Sequence, residues 1–306
     1  MTKLSKAILC VGAIVASAAL ASYGQISGNL STTSVSYGSP LAVQSTPTGF
    51  GDATTPGGDS VGGSELDAGY GTIAGGNLYL FLAGNFENNG NHVNVFIGSS
   101  DVPGQNVLNI GSSTEAAMNG STFSPGFNAN YMIDANDYGP NGAMYVDGFS
   151  LPNGGVASQA YLGSITMGAA GFFPATTFAN GLSLALVNTN IAGVTGSSVA
   201  GASAVGVGME LAIPLSLIGN PSGAVMVMAD VNGGSDGYLS NQFLPGLPNG
   251  TGNLGGGGPY TGGSGSQFNF GSTPGEYMTV VPEPSSIALV IVGLLGAIGM
   301  IRRRNA

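Results

Sequence analysis

Asn77 to Ile97 reads NLYLFLAGNFENNGNHVNVFI, and this stretch decides the fold class. Asn77 to Glu87 is apolar and aromatic and short enough for a buried strand. Asn88-Asn89-Gly90-Asn91 is turn chemistry. Beyond it Val93, Val95 and Ile97 recur at every second position, the period of one sheet face. The expectation is a β-hairpin with its turn at 88–91.

The same signature recurs along the chain. Strand candidates are 130–133, 143–149, 160–167, 182–187, 205–213, 224–230 and 277–281. In Leu182-Ser183-Leu184-Ala185-Leu186-Val187 the leucines alternate with small residues. Pro214 to Gly219 fits one short helical turn after its strand. Many short strands separated by Gly, Asn and Pro clusters predict an all-β domain, a two-sheet antiparallel sandwich or jelly roll. The glycine-rich stretches 52–63 and 244–266 read as surface loops. Pro152 to Gly155 is a candidate boundary, but strands flank it and one domain is favoured. With 55 glycines and 16 prolines among 306 residues, and 43% hydrophobic residues, the chain is loop-rich yet able to bury a core.

Charge placement excludes whole classes of function. The five basic residues are Lys3, Lys6, Arg302, Arg303 and Arg304, so residues 22–281 hold no Lys or Arg. Fourteen of the fifteen carboxylates lie in that region. No fixed cation is present there to neutralise phosphates, which argues against nucleic acid as a partner. P-loop, Schiff-base and arginine-clamp chemistry lack their side chains.

Both termini carry address signals. Lys3 and Lys6 precede an apolar run from Ala7 to Leu20, and Ala19-Leu20-Ala21 is an A-x-A site. This predicts an N-terminal signal helix over residues 1–21, cleaved after Ala21, with a retained anchor as the alternative. The sole cysteine, Cys10, would leave with it. At the other end, Pro282-Glu283-Pro284 precedes the uncharged run Ile287 to Ile301, followed by Arg302-Arg303-Arg304. As a helix that run spans about 22 Å at ~1.5 Å per residue, a short transmembrane helix. The arginines hold its end in the cytoplasm.

Motif, span and basic cluster, over residues 282–306, resemble the PEP-CTERM sorting signal. That resemblance implies a Gram-negative bacterium and processing by an exosortase, a membrane-embedded cysteine protease-transpeptidase. It also implies a transient inner-membrane anchor, then release of the domain 22–281 to the cell surface or extracellular matrix, in association with exopolysaccharide and biofilm. The alternative is a plain tail anchor. The prolines make sense beside a membrane, because each lacks an amide donor and keeps its neighbour extended and accessible. A shorter resemblance lies in Glu210-Leu211-Ala212-Ile213-Pro214, similar to the E-x-x-I-P segment of carbohydrate-binding family 9-like and DOMON-type β-sandwiches. There a strand ends at the proline. The resemblance implies a sugar-binding alternative, for which Tyr131, Tyr138, Tyr145, Tyr161, Tyr238 or Tyr260 would replace the absent tryptophan. Haem, another DOMON ligand, would need His92 with a methionine; His92 otherwise reads as a polar residue opening a strand.

Carboxylates without cations repel one another, which makes calcium the candidate cofactor, with solvated turns the favoured reading. Two loops supply groups: Asp134, Asn136 and Asp137, and Asp230, Asn232 and Asp236. Neither matches an EF-hand. A non-catalytic role is expected. Glu65 and Asp67, on one strand face, are the residual pair for a secreted glycan hydrolase, since two carboxylates suffice for that chemistry.

Overall fold

The computed structural model describes residues 24–48, 64–86, 90–111, 114–138, 142–166, 172–190, 199–256, 270 and 276–282. The signal segment with Ala19 and Ala21, the residues Glu283 and Pro284, the apolar run 287–301 and Arg302 to Arg304 lie outside them. Among the described residues no helix is long and apolar enough to cross a membrane.

The strands run in chain order as β1 (Ala42–Val43), β2 (Glu65–Ala74), β3 (Asn77–Asn85), β4 (His92–Ser99), β5 (Ala129–Tyr138), β6 (Ala143–Ser150), β7 (Ser158–Thr166), β8 (Phe172–Thr177), β9 (Ser183–Val187), β10 (Gly208–Pro214), β11 (Val225–Asn232), β12 (Tyr238–Leu244), β13 (Gly255–Gly256) and β14 (Met278–Val280). They form two antiparallel sheets. The first has the order β1-β2-β3-β10-β9-β8, the second β13-β12-β11-β4-β5-β6-β7, with β14 on β11 beside β12. Pro152 to Gly155 is the turn joining β6 to β7 within one sheet.

Alternation assigns the faces. Leu78, Leu80 and Leu82 of β3, with Met209, Leu211 and Ile213 of β10, meet Val93, Val95 and Ile97 of β4 and Val225, Val227, Ala229 and Val231 of β11 in one core. The outer face of the second sheet carries another core, in which Phe96, Met132, Phe149, Met226 and Met228 pack under Leu108, Ile110, Met118, Phe123 and Phe127 from the long β4–β5 connection. Both faces of β4 and β11 are therefore buried along their whole length.

The expected hairpin at 77–97 does not form. β3 is flanked by β2 and β10 in one sheet, and β4 by β5 and β11 in the other. Each is a central strand with both edges taken, so the chain passes from one sheet to the other between β3 and β4; Asn88 and Asn89 of the expected turn lie outside the described residues. At the crossing, Asn188 receives the Phe86 amide at 2.6 Å and donates to the Phe86 carbonyl, replacing the ladder partner that a hairpin would have supplied. β2, β8 and β12 were not among the strand candidates. In β2 (ELDAGYGTIA) the glycines hide the pattern, yet they have a packing reason. A Cβ on Gly69 would come within 2.8 Å of Met278 Sδ, and one on Gly71 within 2.5 Å of Val280 Cγ2. The two glycines make room across the core for β14.

The outer face of the first sheet is covered by the segment from Gly24 to Tyr37. Ile26 and Val35 pack on Tyr79 and Ala185, while Tyr37 meets Tyr70 and Phe81 at ring separations of 6.2 and 6.0 Å. The segment is pinned by Glu210, which β10 presents outward and which is fully buried. Its Oε2 accepts from the Ser27 and Gly28 amides at 2.7 and 2.9 Å, and its Oε1 from Thr33 Oγ1 and Tyr37 Oη at 2.6 and 3.1 Å. β10 ends at Pro214, and the expected helical turn follows as a 3-10 turn, Leu215–Ile218.

Candidate metal centre

On the outer face of the second sheet, one end of each central strand changes character. β4 reads His92, Asn94 and then Phe96; β5 reads Met132, Asp134, Asn136; β11 reads Met226, Met228, Asp230, Asn232. Pairing places Asp230 opposite Asn94 and Asn94 opposite Asp134, with Asn232, His92 and Asn136 in the neighbouring row. Strand alternation thus gathers a polar patch beside the apolar core. The 3-10 segments Thr114–Met118 and Gly234–Asp236 cover it, bringing in Glu115 and Asp236. Asp236 takes a positive φ of 49°, a left-handed conformation that aspartate tolerates better than most residues.

All seven side chains, His92, Asn94, Glu115, Asp134, Asp230, Asn232 and Asp236, are buried, and the two asparagines, Asp230 and Asp236 are 0% exposed. His92 Nδ1 lies 2.9 and 3.0 Å from the two oxygens of Asp134 and 3.5 Å from Asp236 Oδ2. Nitrogen and oxygen atoms of these three residues lie within 4.8 Å of one another, a spacing able to hold a metal ion. Asn94 Nδ2 donates to Asp236 Oδ1 at 2.7 Å and to Asp230 Oδ1 at 3.3 Å. Asn232 Nδ2 donates to the same two oxygens at 3.1 and 3.0 Å.

Electrostatics follow from burial without fixed cations. Desolvation, then the neighbouring Asp236, pushes the Asp230 carboxyl well above the usual carboxylate range. Burial likewise raises Asp134 and Asp236, opposed by the His92 imidazole. Burial alone would lower His92, but the Asp236 and Asp134 carboxylates outweigh it and raise its pKa to about 9.

The candidate calcium ligands are therefore distributed differently from two loops. Asp134 and Asn136 sit inside β5, not in a loop, because both edges of that strand are paired with β4 and β6. Asn136 points its amide to the Gly90 carbonyl at 3.1 Å, away from the cluster's carboxylates. Asp137 is also in β5, with its side chain outside the described atoms. Asp230 and Asn232 are in β11 and Asp236 ends the following turn. Asp134, Asp230, Asn232 and Asp236 meet in one place. His92, Asn94 and Glu115 were missed as members. Polar residues at i and i+2 on β4 were visible in the sequence, but their convergence with Asp134 and Asp230 depends on the β5-β4-β11 order.

Glu65 and Asp67 do come together. Asn190 Nδ2 donates to Glu65 Oε1 at 2.8 Å and Asp67 Oδ2 at 3.1 Å, and both carboxylates are 0% exposed. They share a buried donor rather than face an open cleft. Of the candidate tyrosines, Tyr131 is buried in the core between the sheets, and Tyr145, Tyr161 and Tyr238 are exposed. No family model, curated protein or solved structure matches this chain.

Proposed function

We propose that this protein is exported and sorted by an exosortase to the cell surface or extracellular matrix, where it has a non-catalytic role alongside exopolysaccharide. The observation that carries this reading is the confinement of every Lys and Arg to positions 3, 6 and 302–304, around a body that has none. The Pro-Glu-Pro motif, the apolar run and the arginines in that order support it. So does the position of β14, which ends two residues before Pro282. The body is read as a β-sandwich, its two sheets sharing one core.

The test is the intact mass of the protein recovered from its native cells. The expected mass lacks residues 1–21 and the segment beyond the sorting motif. Replacing Pro282, Glu283 and Pro284 together by alanine should leave the tail attached and the protein in the inner membrane. Full-length chain in the cytosol would overturn the proposal.

One observation favours a second reading, a carbohydrate-binding surface. Tyr145 and Tyr161 stand exposed on the outer face of β6 and β7, beside Asp147, whose Oδ1 accepts from Gln159 Nε2 at 3.1 Å. Aromatic faces flanked by uncharged donors and carboxylates are the usual chemistry of sugar contact. Retention on matrix polysaccharide that is lost in Tyr161→Ala would establish it; equal retention of both proteins would remove it.

A further inference from the structure

The cluster on the outer face of the second sheet is short of positive charge. Glu115, Asp134, Asp230 and Asp236 are four carboxylates, each at most 2% exposed, and His92 is their one basic neighbour in a body without Lys or Arg. With all four ionised and the imidazole charged, three negative charges would stay buried without a counter-ion, a cost of several kcal/mol per ion in a protein interior. Chains that bury carboxylates in this way pair them or coordinate a metal.

A separate observation concerns hydrogen bonds. The amide groups of Asn94 and Asn232 are spent on Asp230 Oδ1 and Asp236 Oδ1. Four oxygens are left: Asp230 Oδ2, Asp236 Oδ2, Asn94 Oδ1 and Asn232 Oδ1. All are buried and have no hydrogen-bond partner, and only Asp236 Oδ2 has an ion-pair contact, His92 Nδ1 at 3.5 Å. All four are acceptors, so they cannot satisfy one another. A single water has two protons to donate and no charge to offset the carboxylates. A divalent cation answers both deficits at once.

We infer that this cluster binds one calcium ion, through the Asp230 and Asp236 carboxylates and the Asn94 and Asn232 carbonyl oxygens. Asp134 flanks the site, held by His92. The donor set selects the ion: every orphaned atom is a hard oxygen of carboxylate or amide type, which suits calcium, whereas zinc draws on nitrogen and sulfur. His92 Nδ1 is already engaged by both oxygens of Asp134. The ligands come from β4, β11 and the turn after β11, so the ion would tie the covering turn to the sheet. The inference rests on the buried cluster alone and stands whether or not the tail is processed.

The experiment uses the full chain, stripped of metal with a chelator and titrated with calcium chloride. Equilibrium dialysis with elemental analysis gives stoichiometry, and circular dichroism gives thermal unfolding. The expected result is one calcium per chain and a melting temperature raised by roughly 5–10 °C at a hundredfold excess over Kd. Asp236→Asn and Asp230→Asn should each weaken binding by at least roughly 10–100-fold, the range that even outer partners of a metal site command. Asp101→Asn should bind as the parent does, because that exposed carboxylate pairs with Ser99 and Ser222 far from the cluster in the hydrogen-bond network. If the cluster variants fail to fold, the stoichiometry of the parent chain decides. Well under one calcium per chain, an equal loss in Asp101→Asn, or tight zinc binding with calcium excluded would each overturn the proposal.

Discussion

Replacing Glu210 should loosen one specific segment before the rest of the fold. This carboxylate accepts four hydrogen bonds, two from the amides of Ser27 and Gly28 and two from the hydroxyls of Thr33 and Tyr37. Bonds to a charged acceptor contribute about 1.5–3 kcal/mol each, against about 0.5–1.5 kcal/mol for neutral ones. In Glu210→Gln the amide oxygen can still accept from the two backbone donors. Its NH2 can face the two hydroxyl oxygens, which accept as readily as they donate. Only charge assistance is lost, so the expected cost is about 3 kcal/mol after allowing for non-additivity. In Glu210→Leu all four donors lose this acceptor, the Gly28 amide fully buried and the other three half-buried, with only Thr33 keeping the Gln25 carbonyl at 3.3 Å. The cost rises to about 5 kcal/mol, a large share of a typical domain's stability. Urea denaturation of the full chain measures the first number as a lowered midpoint at unchanged slope. Hydrogen exchange should show residues 24–37 losing protection ahead of β3 and β10. A Gln variant within about 0.5 kcal/mol of the parent, or a Leu variant no worse than Gln, would refute the claim that this carboxylate pins the segment.

Two further outcomes follow from the geometry. In chelated protein, Asp134 is raised to about 7 and His92 to about 9. A raised folded-state pKa gives stability that is present below the unfolded value and lost as pH climbs, from about 4 to 7 for Asp134 and from about 6.5 to 9 for His92. Metal-free protein should therefore melt at a higher temperature at pH 5 than at pH 9; calorimetry showing the reverse order would contradict the assignment. Gly71→Val would force a side chain into Val280 and should cost about 1–3 kcal/mol, the usual penalty of overpacking. Limited proteolysis should then cut near Met278 sooner than in the parent.

The class of the fold was legible because alternation is local. Leu182 to Val187 and Val93 to Ile97 expose their inward faces in the sequence itself, and both are strands. Partner choice was not legible. Asn88 to Asn91 looks like a turn whether the next strand folds back or crosses to another sheet, and what decides is that β4 finds β11, more than a hundred residues later. The same holds for the cluster. Asp134 and Asp236 were singled out as acidic groups, but His92 and Asn94 join them only through strand order. β2 was hidden for a different reason: its glycines are shaped by β14 across the core, a contact that no local pattern announces.

β14 also determines how the molecule answers to pulling. Three residues join it to β11, and its apolar anchors are Met278 and Val280 in the core between the sheets. Tension applied beyond Pro282 loads the single bridge from Pro282 to Ile73 and then this short ladder, before any of the long central strands. β14 would give way as a mechanical fuse, paying out chain while sparing the six-stranded sheet and the other seven strands of its own.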